Sequence, residues 1–476
     1  MIHRPSTRQP LSEDPVDLER RRLELEYRAE HGRADEPVGY TGGVSVLGKL
    51  AAALAILVAL AYLALWIGSV RNSGGPEGYV RSIDFAAPLT GGYMVRYGDG
   101  PELYDLPSQR VAQNDLLRGA GADTGQFRPY TRLPFEALAL APFMEVPLPL
   151  VFAIWALGAG LAIGLSLGMM DGALSVSRAV GWALSLAACS FLPLIRGLME
   201  GQDTTFVLMG LCGTYVALRR GQPNWAGAML MLVALQPSLL PLVLLLIVLQ
   251  RHWQALTTFV VLFASLTALT MPVLGFAWPL RYFALLLDPA LASDTPRTVG
   301  DVMYNWRGIA SLMFGTAVPA IVPALVVFLG AVLLAFVWLR CGQGAEAAGD
   351  ESRAASETTS PRLNSDLLWA LAGLLAVFTA PNLSSHDLTL LIFPGWIIGI
   401  YALSNRFGWG ASVVWRLLLG VGYALFPVSL VLQGADTDAS LLVLASAGLM
   451  LAAVFWLAAI LPHRQAQEHP AYLPGG

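Results

Sequence analysis

Two ionisable side chains stand out because of where the apolar pattern leaves them. Asp84 lies between Ile83 and Phe85, beyond the apolar run Ser45–Ser69 and well before the next one, which begins near Pro147. A carboxylate flanked in this way is expected to be half desolvated, a setting that suits a catalytic base near neutral pH. An aspartate here can equally cap a helix beginning near Phe85, so the local sequence leaves both uses open. His386, in TAPNLSSHDLTLLIF, stands at the start of a late apolar run with Asp387 beside it. Ionisable groups at a membrane boundary are candidates for function. An imidazole there can neutralise a phosphate or share a proton with a carboxylate; its competing use is as a hydrated residue at a helix start.

Further polar groups fall on the same side of the apolar segments. Gln202 and Asp203, in LMEGQDTTF, open one segment, and Asn305 and Arg307, in MYNWRGIASLMFG, end a polar loop. Arg128 and Arg132 come from the long loop that follows Asp84. The planar guanidinium fork matches phosphate oxygens, which makes Arg132, Gln202, Asn305 and Arg307 candidates for substrate binding. Taken singly, each also reads as an interfacial anchor; their common side is what groups them. No glycine-rich phosphate loop follows a strand, and CxxC, HExxH and GxSxG are absent. No DxD pair stands in the first loop either, so neither a metal nor a cofactor is expected.

The elements that must position these groups are helices in a membrane. The composition is 55% hydrophobic and 13% charged, with a mean hydropathy of +0.59, far from the roughly 25% charged residues of soluble domains. The net charge of -4 gives no reason to expect nucleic acid. Cys189, Cys212 and Cys341 are an odd set, mostly inside apolar runs, and predict no disulfide framework. The expected fold class is an all-α polytopic membrane protein with roughly twelve membrane helical segments.

Basic connections at Arg219–Arg220, Arg251–His252, Arg340, Arg406 and His463–Arg464 are all cytoplasmic under the positive-inside rule only if Trp225–Leu249 turns back at Gln236–Ser238 as a hairpin. The organisation then reads as a polar cytoplasmic tail (1–44) and an N-terminal membrane module (45–340) whose first external loop spans 70–132. A flexible cytoplasmic linker (341–364), a C-terminal membrane module (365–463) and a cytoplasmic tail (464–476) follow. The polar stretch before the first apolar run is too long for a cleavable signal, so that run is expected to be an uncleaved anchor in the plasma (inner) membrane.

Several pieces, in their order and spacing, resemble glycosyltransferase family 87 of the GT-C superfamily: Asp84–Phe85, LYD at Leu103–Asp105, LPFEALALAPFMEVPLPLVFAIW from Leu133, EGQDTTFVLMGL from Glu200, RGQPNWAGAMLMLVALQPSLL from Arg220, YNWRG from Tyr304 and APNLSSHDLTLLIFP from Ala380. The resemblance covers the chain from the first span to about Phe393. It implies a GT-C type fold, a polyprenyl-phosphate sugar donor with mannose as the default sugar, and a glycolipid or glycan acceptor reached from the external face. It also implies inversion, with Asp84 as the general base and His386 beside the departing phosphate. Membrane lipid is the expected surrounding partner. Gln236 stands where the family usually has a lysine. The competing class is a transporter or flippase of a lipid-linked sugar, for which the broken element at Gln236–Ser238 would be the fitting feature.

Overall fold

A computed structural model describes residues 46–117, 127–174, 178–286, 303–314, 321–347, 360–381, 383–404, 407, 409–433 and 440–468. The predicted N-terminal tail (1–44), Arg406, the centre of the predicted linker (348–359) and the chain end beyond 468 lie outside them. The chain divides into two units after Ala51, and the helical bundle with its cap belongs to the unit from Ala52 onward. Among the described residues all regular structure is helical, as the apolar periodicity requires.

Among the described residues five helices are long and apolar enough to cross a membrane: Leu148–Leu174, Trp253–Leu274, Ile321–Cys341, Ser385–Leu403 and Leu444–Leu461. A sixth crossing is made if Ala179–Cys189 and Leu192–Glu200, bent by 49°, act as one. The expected count of about twelve segments is therefore not reproduced as spans. Several predicted runs form helices such as Thr204–Arg219 and Pro237–Leu249, which at 1.5 Å per residue fall short of the roughly 30 Å hydrocarbon layer.

The spans sort by how much they bury. The window in Ser385–Leu403 is 83% buried and therefore central, whereas Trp253–Leu274 is 11% and Ile321–Cys341 17% buried. Those two turn Val260, Leu269, Leu325 and Phe328 outward, as lipid-facing helices do.

The hairpin expected at Gln236–Ser238 is visible in its contacts. Gln236 donates to Asp387 Oδ1 at 3.2 Å, at one end of the bundle. Gln250 donates to Ser365 Oγ at 3.4 Å and accepts from Trp369 Nε1 at 3.2 Å, beside the cluster around Asp366 at the other end. Pro223–Val233 follows Thr204–Arg219, whose last residue Arg219 joins that same cluster. The chain thus climbs from Pro223 to Gln236 and descends to Gln250. Close packing makes this possible: a Cβ on Gly210 would lie 2.8 Å from Leu232 Cβ, and one on Gly227 only 2.5 Å from the Ala255 carbonyl oxygen, the small-residue contact favoured between membrane helices.

The first loop is a helical cap rather than an irregular excursion. Its helices are Pro76–Ser82, Ala86–Tyr97, Leu106–Leu117 and Pro134–Leu140. Gln109 and Gln113, one turn apart and buried, each grip the extended strand of chain beside them. Gln109 donates to Tyr130 O (3.1 Å) and accepts from Tyr130 N (2.8 Å), and Gln113 does the same with Arg128, at 2.9 Å each way. The pairing works because four residues of helix rise about 6 Å, close to the span of two extended residues.

At the end of the bundle away from that cap, Asp366 is almost fully buried. It accepts from Tyr215 Oη at 2.7 Å and Tyr401 Oη at 2.6 Å and pairs with Arg219, which also donates to Ala173 O at 3.0 Å. One carboxylate therefore ties together Thr204–Arg219, Ser360–Thr379 and Ile392–Leu403. Removing one partner of a buried pair typically costs about 3–5 kcal/mol. Asp366→Ala should accordingly lower the thermal unfolding midpoint of the detergent-solubilised protein sharply, while Tyr401→Phe, which removes one hydrogen bond worth about 1 kcal/mol, lowers it modestly. Equal midpoints for Asp366→Ala and the parent would mean that the clamp contributes nothing to stability.

Candidate active site

The site is assembled at the end of the bundle covered by the first loop. Asp84 reaches it because its neighbours point inward. Phe85 is fully buried, edge-on to Phe152 at 5.5 Å and tilted against Trp155 at the same centroid distance. The Asp84 side chain itself keeps 37% of its surface exposed. The helix that follows, Ala86–Tyr97, receives no side-chain cap, so the capping use of Asp84 is not the one adopted. Its carboxylate instead takes Arg128 Nε on Oδ1 and Gln202 Nε2 on Oδ2, each at 2.9 Å.

Gln202 is positioned by the residue before it. Gly201 closes Leu192–Glu200 in the left-handed region at φ 72°, a conformation glycine adopts at little cost. A Cβ there would lie 2.6 Å from Phe85 Cβ. The turn sends the flanking side chains to different partners. Glu200 Oε2 meets His386 Nδ1 at 3.2 Å and its Oε1 accepts from Arg196 at 2.7 Å. Gln202 Oε1 accepts from Arg132 at 2.7 Å.

Arg132 in turn donates to Glu136 Oε1 at 2.6 Å and lies 3.6 Å from Asp203. Burial opposes its charge, but Asp203 and Glu136 outweigh it and raise its pKa, so the guanidinium stays protonated. Glu136 behaves oppositely. Burial, reinforced by the charge of Asp203 and resisted by Arg132, pushes its carboxyl up to about 7. Among the described residues its Oε2 is buried without a hydrogen-bond partner, consistent with a proton resting there.

His386 opens the short 3-10 helix Ser385–Leu391, fixed by a capping box in which Asp387 Oδ2 accepts from the Ser384 backbone N–H at 2.8 Å. The His386 side chain is 10% exposed, and its Nε2 lies 3.6 Å from Asp387 Oδ1. Asp84, Glu200 and His386 each offer a donor atom within 4.8 Å of the others. Asp84 and His386, far apart in sequence, thus share one site.

Of the predicted residues, Asp84, Gln202 and Arg132 are joined by hydrogen bonds, and His386, bonded to Glu200, brings a ring nitrogen within 4.8 Å of the Asp84 carboxylate. Asn305 and Arg307 do something else: Asn305 donates to Ala380 O at 2.6 Å and Arg307 to Pro381 O at 2.9 Å, holding the backbone that leads to His386. Sequence reasoning passed over Glu136, Glu200 and Arg196 as site residues. Glu200 was visible in the piece EGQDTTFVLMGL, one residue from the glycine that makes the turn.

Residues 130–361 match the sequence model of glycosyltransferase family 87. The match contains Arg132, Glu136, Glu200, Gln202, Asp203 and Gln236, with Asp84 and His386 on either side of it. No curated protein and no solved structure matches the chain.

Two outcomes follow from this geometry. Gly201→Ala forces a left-handed alanine, costing about 1–2 kcal/mol, and pushes a methyl group into Phe85. It should lower the unfolding midpoint measurably, and a parent-like midpoint would mean the turn relaxes freely. For Glu136, a folded-state pKa above its unfolded value means that the folded protein holds the proton longer, so stability is lost as pH rises from about 4.5 through about 7. Glu136→Gln keeps an acceptor for Arg132 and removes that titration. The difference in unfolding midpoint between variant and parent should therefore move in favour of the variant across this window and level off above it.

Proposed function

We propose that this chain, whose residues 130–361 match the model of glycosyltransferase family 87, is a multi-pass membrane enzyme of that family and transfers a sugar, mannose by default, from a polyprenyl-phosphate donor to a hydroxyl of a glycolipid or glycan acceptor. The observation that carries this reading is the Asp84 carboxylate, held by Arg128 and Gln202 yet partly open, with the His386 imidazole within reach of the same point.

In this mechanism the acceptor oxygen attacks the anomeric carbon from the face opposite the phosphate, forming the new C–O bond as the bond to the phosphate oxygen breaks. The configuration inverts. The acceptor proton passes to Asp84, and the electron pair of the broken bond leaves on polyprenyl phosphate. Arg128 and Gln202 occupy one position on each Asp84 oxygen; a carboxylate has about four such positions, so both oxygens can still receive a proton. Arg128 is also the cation best placed to exchange its carboxylate for the arriving phosphate, since only its Nε is committed to Asp84. That exchange would make Asp84 more basic as the donor binds. His386, steadied by Glu200 and Asp387, supports the developing phosphate charge.

Arg132 acts through Gln202, whose orientation it sets, and Asn305 and Arg307 act through the Ala380–Pro381 backbone. The site end of the bundle is assigned to the external side of the plasma membrane and the Arg219–Asp366 end to the cytoplasm, in keeping with the basic connections at that end.

General base catalysis is worth about 10²–10⁴-fold. Asp84→Asn should reduce transfer from radiolabelled polyprenyl-phosphate mannose to a lipid extract by about that factor, with the unfolding midpoint and donor binding retained. Transfer at the parental rate would remove Asp84 from the role of base, and donor binding without transfer by either protein would favour a lipid-linked sugar carrier instead.

A further inference from the structure

The Asp84 carboxylate, the Glu200 carboxylate and the His386 imidazole arrive from three separated parts of the chain and bring ligand atoms within 4.8 Å of one another. His386 Nδ1 and Glu200 Oε2 are 3.2 Å apart. Neighbouring ligands on one ion at about 2.1 Å stand about 3.0–3.4 Å apart, so this pair already has the spacing of a shared coordination sphere. Both carboxylates have capacity left. Asp84 has accepted Arg128 and Gln202 and Glu200 has accepted Arg196, and the Glu200 contact of His386 gives way to the ion once Nδ1 is unprotonated, so at least two of about four positions remain on each carboxylate.

The charge of the surrounding network is unbalanced in the direction a cation would correct. With the proton on Glu136, the carboxylates of Asp84, Glu200, Asp203 and Asp387 stand against the guanidinium groups of Arg128, Arg132 and Arg196, an excess of one when His386 is neutral. A phosphate-bearing donor, as in the transfer reaction proposed above, would add further negative charge to a partly dry site, where like charges repel strongly. A second observation lies beside His386. The Thr204 hydroxyl is buried and, among the described residues, has no hydrogen-bond partner. A Cβ built on Gly197 would stand 3.2 Å from that hydroxyl oxygen and 3.5 Å from His386 Cβ.

We propose that Asp84, Glu200 and His386 form a divalent-cation site whose remaining positions accept a phosphate oxygen of the donor. Two carboxylates with one imidazole suit Mn2+ or Zn2+ better than Mg2+, which prefers an all-oxygen shell. Three protein ligands leave the open positions that Lewis-acid stabilisation of a leaving phosphate requires. The ion would draw the donor phosphate toward His386 and release Arg128 from neutralising the site alone. This inference rests on the transfer reaction only for the identity of the phosphate; the ion site itself rests on the three side chains.

The test uses the full chain in detergent, stripped of metal by chelation and titrated with Mn2+ alone, with free Mn2+ followed by electron paramagnetic resonance. One Mn2+ per chain is expected, weakened at least about tenfold in both Glu200→Gln and His386→Gln, each checked by thermal unfolding. Glu200→Asp, which keeps the charge and shortens the reach, is the substitute should Glu200→Gln fail to fold. The proposal is overturned by absence of saturable binding, or by binding unchanged in these variants. A transfer assay after chelation separates the two readings. Saturable Mn2+ binding without transfer leaves the ion site standing and counts against the transferase mechanism. Transfer that survives chelation in a chain with no Mn2+ binding sinks the ion site and leaves the mechanism intact.

Discussion

One amide connects the two halves of the site. Gln202 donates to Asp84 and accepts from Arg132, so the open carboxylate of the first loop is coupled to the dry cluster of Arg132, Glu136 and Asp203. An amide can do this because it carries donors on one side and an acceptor on the other; a carboxylate or a guanidinium at the same position would satisfy only one neighbour and repel the other. The left-handed glycine before it is part of the same constraint. Gly201 has room for no side chain against Phe85, and Phe85 is the residue that fixes Asp84. Turn, aromatic anchor and amide bridge therefore specify one another.

The first loop serves this constraint. Arg128 and Arg132 lie on an extended piece of chain that has no sheet to join, and such backbone needs partners where it is buried. Gln109 and Gln113 supply them, each bonding both the N–H and the carbonyl of one residue. The arginines are thus carried on a length of chain whose pairing partner is one face of a helix. A helix face is stiffer than a free loop, and this is how a segment between two spans can hold charged groups at fixed distances from residues much later in the chain.

Much of this was legible in the sequence. Apolar runs gave the helical membrane class, the basic connections gave the hairpin at Gln236, and Asp84, Gln202, Arg132 and His386, grouped in the sequence by their common side, lie at one end of the bundle. What stayed hidden has physical causes. The count of about twelve membrane segments is not confirmed, because apolar runs of ten to sixteen residues bury among other helices as readily as they cross a bilayer. Asn305 and Arg307 were read as ligand contacts because a polar side chain that binds backbone carbonyls looks the same in sequence as one that binds a substrate. Glu136 and Glu200 share a spacing that points away from a site. Each lies four residues after an arginine, at Arg132 and Arg196, a spacing that ordinarily marks a solvated helix face.

That ambiguity bears on how the site was built. An i,i+4 pair on a water-facing helix contributes little, since solvent screens it. The same pair turned inward becomes a means of carrying a charge into a dry place already partnered. Arg132–Glu136 and Arg196–Glu200 both do this, and in each pair one member reaches onward, Arg132 to Gln202 and Glu200 to His386. The helix Leu192–Glu200 delivers one such pair and the chain entering Pro134–Leu140 the other, and the site forms where the unspent valences of those pairs meet Asp84. Arg196–Glu200 is nearly neutral by itself, and the proton held by Glu136 spares the other pair a second buried anion, so the cost of bringing so many ionisable groups together is met locally. The excess negative charge of the whole is then concentrated around Asp84, Asp387 and Asp203, the carboxylates with no arginine of their own helix beside them.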